Sequence, residues 1–67
     1  MAMTLKAART NMGFTQAQAA EKIGITVDTL SNYERGKSYP DVPIIKRIEE
    51  VYETSYSDLI FLPRNYG

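Results

Sequence analysis

Between Thr15 and Lys37 the chain reads T-Q-A-Q-A-A-E-K-I-G-I-T-V-D-T-L-S-N-Y-E-R-G-K. Ala17, Ala19 and Ala20 combine strong helix propensity with small size, so a second helix can come close. Gly24 supplies a residue comfortable with positive φ where the chain must turn. Ile23, Ile25, Leu30 and Tyr33 provide the apolar contacts for such a crossing. The stretch therefore predicts two short helices joined by a tight turn. On the second of them, Leu30 and Tyr33 face inward at a spacing of three, and Val27, Asp28, Ser31, Asn32 and Arg35 share the opposite face. A helix serving only the core would have no reason to keep that face polar.

The rest of the chain sets limits on what this unit can be. With 67 residues it makes one small domain, able to bury about 60% of the surface its unfolded chain exposes, and no second domain fits. Cysteine and histidine are both absent, which removes disulfides, thiolate metal sites, most zinc chemistry and the commonest general base. An enzyme is not expected, and neither a cofactor, a metal nor a small-molecule ligand is implied. Apolar runs such as Leu59 to Leu62 fall far short of the roughly 20 residues that span a bilayer. No apolar segment follows Lys6 and Arg9 in the manner of a secretory signal, so the expected location is the cytoplasm, with no membrane partner.

In chain order, Thr4 is an N-cap for a first helix from Leu5 to about Met12, closed at Gly13, with Phe14 plugging the join. Thr15 and Gln18 form a capping box for the second helix, which ends at Gly24. Thr26 caps the third, which stops at Gly36. Asp41 caps a fourth, with Pro43 tolerated in its first turn, a buried stripe of Val42, Ile45, Ile48, Val51 and Tyr52, and a solvated face of Lys46, Arg47, Glu49, Glu50 and Glu53. Ser55 with Asp58 repeats the capping signature and predicts a fifth helix from Tyr56 to about Phe61, halted by Pro63, with residues 63–67 a loose tail. No strand is expected. The fold class is all-α, a compact bundle of five short helices.

The residues Ala20, Gly24, Leu30 and Tyr33, followed by T-L-S-N-Y-E-R-G-K-S-Y-P and later T-S-Y-S-D-L, resemble the helix-turn-helix regulators of the phage repressor and Cro (XRE) type over roughly residues 4 to 62. That resemblance implies a lambda-repressor-like DNA-binding domain whose third helix reads the major groove of double-stranded DNA. Base readout then falls to Val27, Asp28, Ser31 and Asn32: Asn32 for adenine, Ser31 for either partner type, Val27 for a thymine methyl. Asp28 suits a cytosine amino group or, equally, only the positive end of the helix dipole. Phosphate contacts fall to Gln16, Thr26, Arg35, Lys37 and Ser38, with Tyr39 as a further candidate that otherwise covers a core edge. Lys6 and Lys22 read as surface charges. Arg9 and Glu34 match a pair that the family often forms between the first helix and the end of the third, and a structural ion pair is expected there.

Two features depart from the family pattern. Glu53 stands where the fourth helix usually ends in glycine, which demands another turn geometry or a strained residue. The net charge is zero, although residues 1–37 carry five cations against three anions (+2) and residues 38–67 three against five (−2). Modest affinity per subunit and a homodimer on an inverted repeat are therefore expected, with Phe61, Leu62 and Tyr66 as candidate dimer contacts. If these residues are the whole protein, a repressor with a separate regulatory half is excluded and a small Cro-like repressor leads. The alternatives are the antitoxin of a toxin–antitoxin pair and a protein-interaction module that has lost DNA binding.

Overall fold

A computed structural model describes residues 2–61. In chain order, strand β1 (Met3–Thr4) leads into helices α1 (Leu5–Asn11), α2 (Gln16–Ile23), α3 (Val27–Glu34) and α4 (Val42–Tyr52). A single 3-10 turn (Tyr56–Asp58) then gives way to strand β2 (Leu59–Ile60). The expected starts of the first four helices all form. Thr4, Thr15, Thr26 and Asp41 each accept from a backbone amide three residues on, and Thr15 and Gln18 close the full capping box at 3.1 and 2.9 Å. These caps satisfy donors that have no partner within a first helical turn.

The core joins Leu5 and Ala8 of α1, Ala19, Ala20 and Ile23 of α2, Leu30 of α3, Ile48 and Tyr52 of α4, and Leu59 of β2. Ile23, Leu30 and Ile48 are its largest fully buried side chains. At the crossing of α2 with its neighbours, Ala19 and Ala20 are buried, so the small residues lie where closest approach requires them. Gly24 ends α2 at φ 91° in the left-handed region. A side chain there would also stand 2.8 Å from Arg47 Nη1, which donates to the Ile23 carbonyl at 3.2 Å. Arg47 thus neutralises the negative end of α2 and links it to α4, a role that reading it as part of a solvated face misses.

The C-terminal part corrects the five-helix bundle. No fifth helix forms: the 3-10 turn lasts three residues, and Leu59 is already extended. Leu59 and Ile60 pair in parallel with Met3 and Thr4, so the backbone donors and acceptors that a helix would satisfy internally are met by β1. The expectation of no strand fails for the same reason. The Ser55 signature also misleads. Its hydroxyl bonds the Asp58 carboxylate at 3.1 Å, while the Tyr56 amide is taken by Glu49 Oε2 at 2.7 Å, which removes Glu49 from the solvated face. Val42 leaves the predicted stripe: it is 64% exposed at the first position of α4, and Ile44 packs on the core in its place. Phe61 is half-buried between Tyr39 and Tyr56, with ring centroids 5.5 and 5.6 Å away. Leu62, Tyr66 and the 63–67 tail lie outside the described residues. Among the described residues no helix is long and apolar enough to cross a membrane.

Glu53 adopts φ 53°, ψ 48°, the left-handed conformation in which an L side chain costs about 1–2 kcal/mol. The turn holds because its amide and that of Thr54 close on the Glu49 and Glu50 carbonyls. Glu53→Gly is expected to raise the urea midpoint, by about 1 kcal/mol in unfolding free energy. Glu53→Ala, which keeps the Cβ, should not produce that gain.

Candidate nucleic-acid interface

Glu34, the last residue of α3, is 8% exposed and collects three donors. Arg9 Nε donates to Oε2 at 2.7 Å and Arg9 Nη2 to Oε1 at 3.3 Å. Gln16 Nε2 donates to Oε1 at 3.0 Å. The remaining arm of Arg9, Nη1, donates to the Phe14 carbonyl at 3.0 Å. One carboxylate therefore ties α1, the join that follows it and the first residue of α2 to the end of α3. The hydrogen bond to Glu34 holds the Arg9 guanidinium above its ordinary pKa, against the opposing effect of burial. The link from Gln16 is absent from the sequence reading, because 18 residues separate the two partners and no local pattern marks the contact.

The two helices of the motif are joined by the Gly24 turn and the Thr26 cap. The Thr26 hydroxyl accepts from the Thr29 amide at 3.1 Å and donates to Thr29 Oγ1 at 2.8 Å, so both of its functions are occupied within α3. Leu30 is fully buried and Tyr33 is half-buried against the core, where burial pushes its phenol up and the Asp41 charge adds to the effect. This fixes the rotation of α3. Val27 is 42% exposed and Asp28 is exposed in the first turn, while Ser31 and Asn32 are half-buried one turn later. Asn32 Oδ1 accepts from Arg35 Nη2 at 3.2 Å.

The residues expected to grip phosphates divide into separate places. Gln16 and Arg35 line one open cleft, together with Lys6, Thr15 and the expected base reader Ser31. Lys37 is exposed and Ser38 half-buried in the loop after α3, where the Lys37 amide closes on the Asn32 carbonyl at 2.9 Å. Tyr39 is exposed and packs against Phe61 with the rings tilted by 52°. Lys22 lies 5.3 Å from the Phe14 ring centroid, a cation–π contact on the far end of α2. Among the described residues no group of three or more carboxylates, histidines or cysteines is placed to hold a metal ion.

Four capped helices, a glycine turn between α2 and α3, and a third helix with one face in the core and the other in solvent meet the requirements of a helix-turn-helix. A helix-turn-helix family profile matches residues 5–59. The chain belongs to the helix-turn-helix family of the Cro/C1 (XRE) type. It is similar to the HTH-type transcriptional regulator ImmR of Bacillus subtilis (strain 168), 41% identical over 56 residues that make up 84% of this chain and 44% of that protein. The chain thus spans less than half the length of this curated relative. No solved structure gives a significant match.

Two outcomes are expected from the buried network. Arg9→Ala strands the Glu34 charge and should lower stability by about 3–5 kcal/mol in denaturant unfolding. The double variant Arg9→Met, Glu34→Leu should lose much less, because no uncompensated charge remains. Tyr52 adds a pH dependence. Its hydroxyl is buried without a hydrogen-bond partner among the described residues, and burial, with the Glu34 charge adding and Arg9 opposing, pushes its pKa up to about 12. The fold favours the neutral phenol, so this contribution is complete below the ordinary value of 10.0 and is lost as pH rises from there through about 12. The full step is worth roughly 2–3 kcal/mol. Tyr52→Phe should flatten stability over that window and, by removing an unpaired hydroxyl, gain about 1 kcal/mol at neutral pH.

Proposed function

We propose that this domain binds double-stranded DNA sequence-specifically and regulates transcription as a small Cro-like repressor, laying α3 in the major groove and acting as a dimer on an inverted repeat. The observation that carries this reading is the division of α3. Leu30 is fully buried, while Val27, Asp28, Ser31 and Asn32 remain at least partly accessible on the other face. Each of those four has a base-edge group it can meet: a thymine methyl for Val27, a cytosine amino group for Asp28, and hydrogen-bonding edges for Ser31 and Asn32. Asp28 also suits the α3 dipole from its place in the first turn.

Around this face, Gln16, Arg35, Lys37 and Ser38 are the proposed backbone contacts, and Thr26 joins them only by turning its hydroxyl proton from Thr29 Oγ1 to the phosphate. Family membership supports the assignment, as does the regulator named among the relatives. Glu34 takes one donor of Gln16. The amide nitrogen carries a second proton, so a phosphate bond remains open to it. A single reading helix covers only a few base pairs, which calls for two half-sites. The aromatic edge of Tyr39 and Tyr56 around Phe61 supports contacts between subunits on that side.

Selection from randomised duplexes should recover an inverted repeat with half-site centres about 34 Å apart. Binding to it should weaken steeply with salt as counterions are released. Asn32→Ala should relax preference at one position per half-site by about 1–3 kcal/mol, while Lys37→Ala should weaken all sequences alike. Uniform losses from both variants would remove the α3 face as the reader. Undetectable or salt-insensitive binding across the selection would point to a protein-interaction module.

A further inference from the structure

We propose that Lys6 is a further contact to the DNA backbone, acting with Arg35 on the phosphodiester chain in the cleft lined by α1, α2 and α3, an assignment that rests on the DNA-binding reading above. Lys6 lies in the first turn of α1. The sequence alone marks it only as a surface charge. The fold brings it to the cleft that also contains Gln16, Ser31 and Arg35, so it shares a wall with residues proposed to meet bases and phosphates.

The charge distribution singles it out further. Of the cations in the first helices, Arg9 is spent on Glu34 and the Phe14 carbonyl, and Lys22 lies over the Phe14 ring. Arg47 is held by the Ile23 carbonyl. Lys6 is exposed, and its ammonium has no ion pair or hydrogen bond among the described residues. The cleft carries Lys6, Arg9 and Arg35 against Glu34, three positive charges less one negative, or +2, in a chain whose net charge is zero. A concave wall with low-dielectric sides concentrates such a field. Arg35 keeps its full charge, since its partner Asn32 is neutral. A lysine ammonium suits a phosphodiester oxygen because it acts as a point charge on a flexible stem and tolerates variation in strand position.

The duplex backbone fits this cleft better than a free anion does. Ser31 and Arg35 belong to α3 itself, so a strand whose bases meet Val27 and Asn32 passes the cleft with its phosphates. The sugar-phosphate chain would then be gripped by Lys6 within the cleft and by Lys37, which does not line it, from the loop after α3.

The test compares Lys6→Ala and Lys6→Gln in the full chain with Lys46→Ala, which removes an exposed charge from α4 away from the cleft. The probe is the duplex recovered by selection, and unchanged circular dichroism and unfolding midpoints show that each variant folds. Both Lys6 variants should weaken all sequences several-fold and reduce the slope of log affinity against log salt by about 1, while Lys46→Ala changes neither. Inorganic phosphate titrated against the protein should leave the amide resonances around Lys6 and Gln16 unmoved at concentrations where the duplex shifts them. Unchanged affinity and slope in Lys6→Ala, with wild type binding and Lys37→Ala impaired, would overturn the assignment of Lys6 alone. A Lys6→Ala loss confined to one base position would overturn it as a backbone contact. Saturable phosphate binding abolished by Lys6→Ala would replace the duplex with a free anion. Absence of wild-type DNA binding would overturn the DNA reading and this inference together.

Discussion

The Glu34 carboxylate holds the arrangement on which the proposed interface depends. It closes α3, receives two nitrogens of Arg9 from α1 and one of Gln16 from α2, and so ties the helix with the solvent-facing polar side proposed as the reader to the two that support it. In a buried setting such a group is costly when left alone and tolerable only when its acceptor sites are filled. Its value is geometric. Three donors from two elements reach it only when α3 has one rotation and one depth relative to α1 and α2, and that rotation decides which residues of α3 reach solvent. The apolar packing of Ile23, Leu30 and Ile48 supplies the driving force for collapse, but leucine and isoleucine contacts alone tolerate small rotations that a bidentate pair does not.

A second constraint acts at the join of α2 and α3. Ala20 allows close approach, Gly24 turns the chain, and Arg47 reaches from α4 to the carbonyl that the turn leaves without a helical partner. The space that a Cβ at Gly24 would enter is the space the guanidinium occupies. The glycine thus serves two physical demands, a left-handed φ and room for a cation from another helix. The Glu53 turn contrasts with this. It takes the same backbone region with an ordinary side chain and relies on backbone hydrogen bonds to hold it there.

The parallel pairing of Met3–Thr4 with Leu59–Ile60 brings the two ends of the described chain together beside α1. Leu59 thereby completes the core, and Phe61 follows directly into the aromatic edge with Tyr39 and Tyr56. The side of the molecule proposed for subunit contact is in this way set by the same backbone pairing that closes the core, on elements separate from the α3 face.

The four helices, their caps and the glycine turn were legible in the sequence because each rests on residues three or four apart: Thr15 with Gln18, Asp41 with the Ile44 amide, Leu30 with Tyr33. The inward and outward faces of α3 followed from the same periodicity, as did the pairing of Arg9 with Glu34 once the family pattern was in view. Local rules failed where the partner was distant. Tyr56 to Phe61 has a capping signature, yet the competing partner of Leu59 and Ile60 lies more than 50 residues earlier, in β1. The Gln16–Glu34 bond, the Arg47 contact with Ile23 and the place of Lys6 in the cleft likewise join segments that no periodicity connects. The sequence by itself determined the four helices from Leu5 to Tyr52 and which residue types α3 offers to solvent, since both depend on interactions within a turn or two of the chain. Only the tertiary structure decided which charges are already spent and which stand together, because neutralisation and cleft formation depend on where separate helices meet.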